Sequence, residues 1–180
     1  MIKVILVNGC ATAGKDTFIN FCEEMLGKRA RNISSIDFVK KIAFYCGWNG
    51  EKTPRDRKFL SDLKDLLTEW RNVPLKQLEF EKGIWDDILI SEGVTEDCAL
   101  FICVREPKEL EKLKDLFGAV TIFVSRKEAE EQQTSNHADE EVFDYTYDYW
   151  IMNDGTLDEL KETAEFFLET LNLKEKKIKL

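Results

Sequence analysis

The stretch Gly9-Cys10-Ala11-Thr12-Ala13-Gly14-Lys15-Asp16-Thr17 follows an apolar run, Met1 to Val7, and precedes a segment in which Phe18, Phe21, Cys22, Met25 and Leu26 recur on one helical face. A buried strand, a loop with a glycine at each end and a helix opening near Gly14 leave few folds available. The strand belongs inside a sheet covered by helices, and the loop belongs at that strand's C-terminal end. The spacing G-x-x-x-x-G-K at this junction lets backbone N–H groups and the positive end of a helix dipole converge on phosphate oxygens, with the Lys15 ammonium as counter-charge. The competing reading is a chance glycine turn ahead of a helix, against which strand, spacing, lysine and helix are all present.

The rest of the chain alternates strand-like and helical segments, which predicts an α/β fold with a mostly parallel sheet of about five strands and helices on both faces. Asn32–Ile36 reads as the second strand, with Asp37 as a candidate N-cap of the helix carrying Val39, Ile42, Ala43 and Cys46. Thr53-Pro54 opens a helix whose apolar set is Phe59, Leu60, Leu63, Leu66, Leu67 and Trp70; Pro74 opens another with Leu75, Leu78, Trp85, Ile88 and Leu89 inward. Ala99–Val104 and Val120–Val124 are continuous apolar runs of the kind buried on both faces, separated by a helix from Pro107. Glu128 to Asp148 is polar and acidic and is expected to be a mobile loop or lid. A strand at Tyr149–Met152, a turn at Asn153-Asp154-Gly155 and a helix capped by Thr156 with Glu159 complete the pattern, ahead of a frayed tail around 174–177. A single domain over 1–180 is expected, with a helical region at about 37–92 and the lid at about 126–147.

Hydrophobic residues make up 43% of the chain and charged residues 34%, with no apolar stretch of the roughly 18 residues that a membrane span needs. The five cysteines form no Cys-x-x-Cys pair, which predicts reduced thiols in a cytoplasmic protein. A net charge of -9 makes the average surface repel phosphate backbones. Neither nucleic acid nor membrane is therefore an expected partner, and a phosphate site has to be local. His137 is the only histidine, so a zinc site is not expected.

Asp16 stands where a hydroxyl usually follows the lysine. A carboxylate beside a triphosphate is repulsive unless a cation lies between them, so Asp16 is a candidate Mg²⁺ ligand, direct or through water. It is also a favourable acidic residue in a first helical turn.

The Gly14-Lys15-Asp16-Thr17 segment resembles the P-loop of phage-type deoxynucleoside monophosphate kinases, and the Lys-Asp pair is shared with animal phosphomevalonate kinases. Three later segments resemble the same group. Val104-Arg105-Glu106-Pro107-x-Glu109 is similar to its strand-end arginine motif, and Asn136-His137-x-x-Glu140 to a lid-side segment. Asp148 through Leu160 is similar to its last strand and helix. The resemblance implies a three-layer P-loop NTPase fold closing over two phosphorylated substrates. It implies ATP on Gly9, Ala11, Thr12, Ala13, Gly14, Lys15, Asp16 and Thr17, with Asn153 near the adenine. One departure is Cys103, where members of that group often carry an Asp that holds the metal through water.

An acceptor phosphate calls for positive charge, and arginine offers a planar fork matched to its oxygens. Arg105, at a strand's C-terminal end, is a candidate for substrate binding and catalysis; Arg57, at the start of the central helix, is a candidate for substrate binding. Arg126 begins the lid stretch and is a candidate finger onto the transferring phosphoryl; solvation is the alternative for each. Asp37 is placed near the acceptor by the resemblance, a role compatible with capping. Tyr145, Tyr147, Tyr149 and Trp150 are read as packing residues rather than a base-stacking platform.

The expected activity is ATP- and Mg²⁺-dependent phosphoryl transfer to a small phosphorylated acceptor, a (deoxy)nucleoside monophosphate, by a monomer or homodimer. Dephospho-coenzyme A or phosphomevalonate as acceptor, and a nucleotide-binding regulatory protein without transfer, are the alternatives. A GTPase is disfavoured because the Asn-Lys-x-Asp guanine signature is absent.

Overall fold

Val4, Ile5, Leu6 and Val7 can all leave solvent only if their strand has neighbours on both edges and cover on both faces. The computed structural model, which describes residues 1–131 and 143–174, meets that demand with β1 (Ile2–Asn8) at the centre of a five-stranded sheet. The other strands are β2 (Ala30–Ser34), β3 (Cys98–Cys103), β4 (Val120–Ser125) and β5 (Tyr149–Met152), in the order β2-β3-β1-β4-β5. β1 runs parallel to β3 and to β4, and β4 parallel to β5, as expected of strands joined through helices.

The helices are α1 (Lys15–Leu26), α2 (Asp37–Tyr45), α3 (Pro54–Arg71), α4 (Val73–Ser91), α5 (Pro107–Phe117), α6 (Lys127–Glu131) and α7 (Leu157–Thr170). α1 packs on α7, where Phe18 and Phe167 meet edge to face with centroids 5.6 Å apart, and α5 lies on β1 and β4. Ile5, Leu6, Leu100, Ile102, Ile122 and Phe123 are all fully buried. At about 1.5–3 kcal/mol for each large side chain, this central patch is the main stabilising mass of the sheet. Among the described residues no helix is long and apolar enough to cross a membrane.

The chain forms two compact units, Met1–Asn32 with Val94–Leu180, and Ile33–Gly93. In the second, α2, α3 and α4 pack on one another. α3 starts on a capping box: the Thr53 hydroxyl accepts from the Asp56 N–H, the Asp56 carboxylate accepts from the Thr53 N–H, and Pro54 supplies the first helical position.

The apolar face expected for α3 is split. Phe59, Leu66 and Trp70 are exposed, while Leu60, Leu63 and Leu67 are half-buried and the stem of Lys64 is buried. Periodicity identifies apolar positions, but the side packed against α2 and α4 is turned by about 100° from the line through Phe59, Leu66 and Trp70. Ile88, also expected inward, is exposed on α4, whose buried positions are Pro74, Leu78, Trp85 and Leu89.

The acidic stretch after β4 is not a plain loop. It opens with α6, and its far end is fixed: Asp148 accepts from Lys114 Nζ at 2.9 Å, from the Thr121 N–H at 2.8 Å and from the Thr121 hydroxyl at 2.9 Å. Asn136, His137 and Glu140 lie outside the described residues. The aromatic residues that follow pack as expected, Phe123 meeting Tyr147 and Trp150 at 5.0 and 4.7 Å between centroids.

Burial presses the Asp148 carboxyl upward, but the hydrogen bonds from Lys114 and Thr121 outweigh it and hold its pKa below the usual aspartate value. A depressed folded-state pKa gives stability that is fully present above about pH 4 and is lost as pH falls through the folded value. Asp148→Asn is expected to lower the Tm by about 2–4 °C at pH 7, and the gap should close below about pH 4. A gap that stays constant across a thermal-melt series from pH 7 to pH 3 would show that the ionised carboxylate is not the stabilising species.

Candidate functional site

Gly9 holds φ +145°, and a Cβ there would run into the backbone carbonyl of Val124 on β4. The loop can thus lie flat against the sheet end only with glycine at this position. The chain then turns, the Ala13 N–H donating to the Cys10 carbonyl at 3.2 Å, with Thr12 at φ 64°. Gly14, at φ 93°, is the N-cap of α1, and the Phe18 N–H donates to its carbonyl at 2.9 Å. Since the N-cap has no side chain, the first-turn N–H groups of α1 are left to a ligand of the loop, an anion by preference.

Lys15 Nζ donates to the carbonyls of Gly9 and Cys10, both at 2.7 Å, so the ammonium is held within the curve of the loop. Burial lowers its pKa below the usual lysine value; Cys103, Asp16 and Cys10 oppose that shift, and Arg105 adds to it. The same neighbours define the site. Asp16, Cys103 and Arg105 all come close enough to bear on the Lys15 charge, at the C-terminal ends of β1 and β3. Asp16 is exposed in the first turn of α1, and Cys103 is half-buried with its Sγ 3.7 Å from Asn32 Oδ1. One exposed carboxylate beside a loop whose N–H groups are left to an anion fits Mg²⁺, which keeps most of its own waters and takes few protein ligands. Among the described residues no group of three or more acidic, histidine or cysteine side chains forms a complete metal cage.

Two asparagines brace the loop. Asn8, 2% exposed, accepts from the Gly9 N–H through Oδ1 at 2.7 Å and donates through Nδ2 to the Arg105 carbonyl at 3.3 Å. It therefore ties the first glycine of the loop to the strand-end arginine. Sequence reasoning missed Asn8; the available signal was one amide closing an otherwise apolar strand immediately before a glycine. Asn153, whose backbone N–H donates to the Ser125 carbonyl, reaches the loop from β5's end and donates through Nδ2 to the Ala13 carbonyl at 2.8 Å. Its carboxamide occupies the space a Cβ on Gly14 would need. Beside Asn8 lies the Tyr147 hydroxyl, closed off from solvent; burial pushes its pKa up, and the Asn8 side chain opposes that shift.

Arg126 follows β4 in the same unit and pairs with Glu128 at 2.9 Å on the surface, a contact of the kind worth about 1 kcal/mol or less and easily exchanged. The other two candidates belong to the second unit. Asp37 is the first residue of α2 rather than its N-cap, which is Ile36; its carboxylate turns back to accept from the Ser34 N–H at 2.9 Å and pairs with Lys40 at 3.3 Å. Arg57 is exposed in the first turns of α3 and donates from Nε to the Lys52 carbonyl at 3.2 Å.

No family model and no curated protein matches the chain. Among solved structures, the dephospho-CoA kinase from Campylobacter jejuni superposes with a TM-score of 0.51 at 15% identity, over 94% of this chain and 97% of that one. A Chloroflexus aurantiacus protein described as a candidate kinase superposes with a TM-score of 0.50 at 12% identity, over 93% and 96%. The likeness is one of fold: the chain has the α/β fold of P-loop kinases.

Proposed function

We propose that this chain is an ATP-dependent phosphotransferase whose acceptor is a small phosphorylated molecule, a (deoxy)nucleoside monophosphate in the first instance. The observation that carries this reading is the position of Lys15, held inside a glycine-bounded loop at the sheet's C-terminal end with Arg105 beside it. Phosphoryl transfer needs positioning and charge neutralisation rather than a nucleophilic side chain, and these residues provide cations and N–H donors. The loop amides and Lys15 bind the terminal phosphates of ATP. Arg105, backed by Asn8, binds and shields negative charge at the same end of the sheet, and Arg126 contributes further charge after exchanging its Glu128 contact. An oxygen of the acceptor's phosphate attacks the γ-phosphorus as the bond to the departing ADP oxygen breaks. Mg²⁺, when bound, would neutralise the phosphate charge, with Asp16 as the side chain to hold it.

Asp37 and Arg57 serve the acceptor in this proposal. The expected result of a coupled ADP-release assay is turnover that depends on a nucleoside monophosphate. Dephospho-coenzyme A and phosphomevalonate are run in parallel, the former because the Campylobacter jejuni neighbour is named for it. ATP binding without release for any of these acceptors would favour a regulatory nucleotide-binding protein.

Asp16→Asn is expected to raise the Mg²⁺ concentration for half-maximal turnover about tenfold or more. Unchanged magnesium dependence would leave Asp16 as a helix-start residue only.

A further inference from the structure

We propose, building on the phosphotransferase reading, that Asp154 is a positioning residue: from the turn after β5 it fixes the backbone that carries Arg126 beside the phosphate loop. Arg126 is the N-cap of α6, its carbonyl accepting from the N–H groups of Ala129 and Glu130, both at 3.0 Å. An arginine is poorly suited to that place. It has no side-chain acceptor for the free N–H groups of the first turn, and its charge, with that of Lys127 next to it, lies at the positive end of the helix dipole. Serine, threonine, aspartate or asparagine would suit the helix better. A local rule broken in this way marks a side chain kept for something other than the helix, and the compensation comes from elsewhere in the chain.

The compensating group is Asp154. Its Oδ1 accepts from the Lys127 N–H at 2.8 Å, a bond the Arg126 side chain has no atom to make, and its Oδ2 lies 3.9 Å from Lys127 Nζ. A helix of five residues does not hold on its own, so α6 depends on such contacts, another being the Ser125 hydroxyl donating to Glu130. The neighbouring Asn153 takes the other side of the arginine. Its N–H donates to the Ser125 carbonyl and its carboxamide to the Ala13 carbonyl, both at 2.8 Å. The dipeptide Asn153-Asp154 therefore bonds the phosphate loop and both backbone flanks of Arg126. Gly9 lies against Val124, two residues before Arg126, so β4 delivers the arginine beside the first glycine of the loop. The guanidinium itself stays exchangeable, paired with Glu128 on the surface. What Asp154 fixes is the base from which that side chain reaches, and a misplacement of about 1 Å costs about a hundredfold in rate.

In the coupled ADP-release assay, Arg126→Ala should lower kcat about a hundredfold and Asp154→Ala about thirtyfold, with the KM for ATP changed less than about threefold and the Tm by less than about 4 °C. Asp154→Asn keeps the acceptor for the Lys127 N–H and should recover kcat to within about threefold of wild type. In the Arg126→Ala chain, Asp154→Ala should lower kcat by less than about a further threefold, because the arginine it positions is gone. The full loss in that background, or Asp154→Ala turning over like wild type, overturns the proposal. A second measurement needs no acceptor. Adenylyl imidodiphosphate with Mg²⁺ should slow hydrogen exchange across residues 125–131 in the wild-type chain, since a loop steadied by phosphate steadies Asn153 and Asp154 with it. In Asp154→Ala the analogue should bind within about threefold of its wild-type affinity without that slowing. Such a difference supports the proposal even where no acceptor is turned over, a result that sinks the transfer reading alone. Equal protection in the two chains overturns the proposal, and a wild-type chain that does not bind the analogue overturns both.

Discussion

Lys15→Ala is expected to lower kcat/KM for phosphoryl transfer by about a thousandfold or more while the protein keeps its fold. The ammonium lies within the loop, held by the carbonyls of Gly9 and Cys10. Arg105 is its cationic neighbour, but it belongs to the segment after β3 rather than to the loop itself. The structural cost of removing Lys15 is small: the carbonyls of Gly9 and Cys10 lose one donor each at a site water can reach, for a Tm change of about 2–4 °C. A coupled assay for turnover and a melt for stability separate the two effects. Transfer retained in the folded variant would end the phosphotransferase reading.

Gly9→Ala should act on stability first. Its φ of +145° is a conformation that alanine adopts only with strain, and its new methyl group would meet the Val124 carbonyl, which is backbone in a paired strand and cannot rotate aside. A loss of about 3 kcal/mol or more is expected, a fall of about 6–12 °C in Tm. Gly14→Ala is the internal control. Its φ is also positive, but the obstacle is the Asn153 carboxamide, a side chain that can turn away by giving up its bond to Ala13. The Gly14 variant should therefore keep more stability than the Gly9 variant and lose more phosphate affinity in proportion. Equal urea midpoints for Gly9→Ala and wild type would disprove the close approach of loop and β4.

Features written in neighbouring residues were readable before any coordinates. The strand-loop-helix from Met1 to Leu26, the caps at Thr53 and Thr156, and the stops at Gly27 and Gly118 are local chemistry, and the structure has each of them. β5 matches its expected span. Features decided by distant contacts were not readable. The orientation of α3 depends on where α2 and α4 lie, so Phe59, Leu66 and Trp70 read as core and are exposed. Asp37 read as a cap but is a helical residue, because Ser35 and Ile36 form a turn first. Within the site, Lys15 and Arg105 were legible from motif and strand end. Asn8 was not, because one buried amide has no pattern to betray it; its role depends on Arg105, which is 97 residues away.

Asn153 is 140 residues from the carbonyl it braces, and β4, against which Gly9 lies, begins only at Val120. During synthesis this loop emerges before Asn153 and β4, and the central strand has to wait for neighbours from later in the chain. The intact motif in a nascent or prematurely terminated chain is thus a loop without its buttresses. Loss of residues beyond about 150 should silence nucleotide binding even though every residue from Gly9 to Thr17 is present.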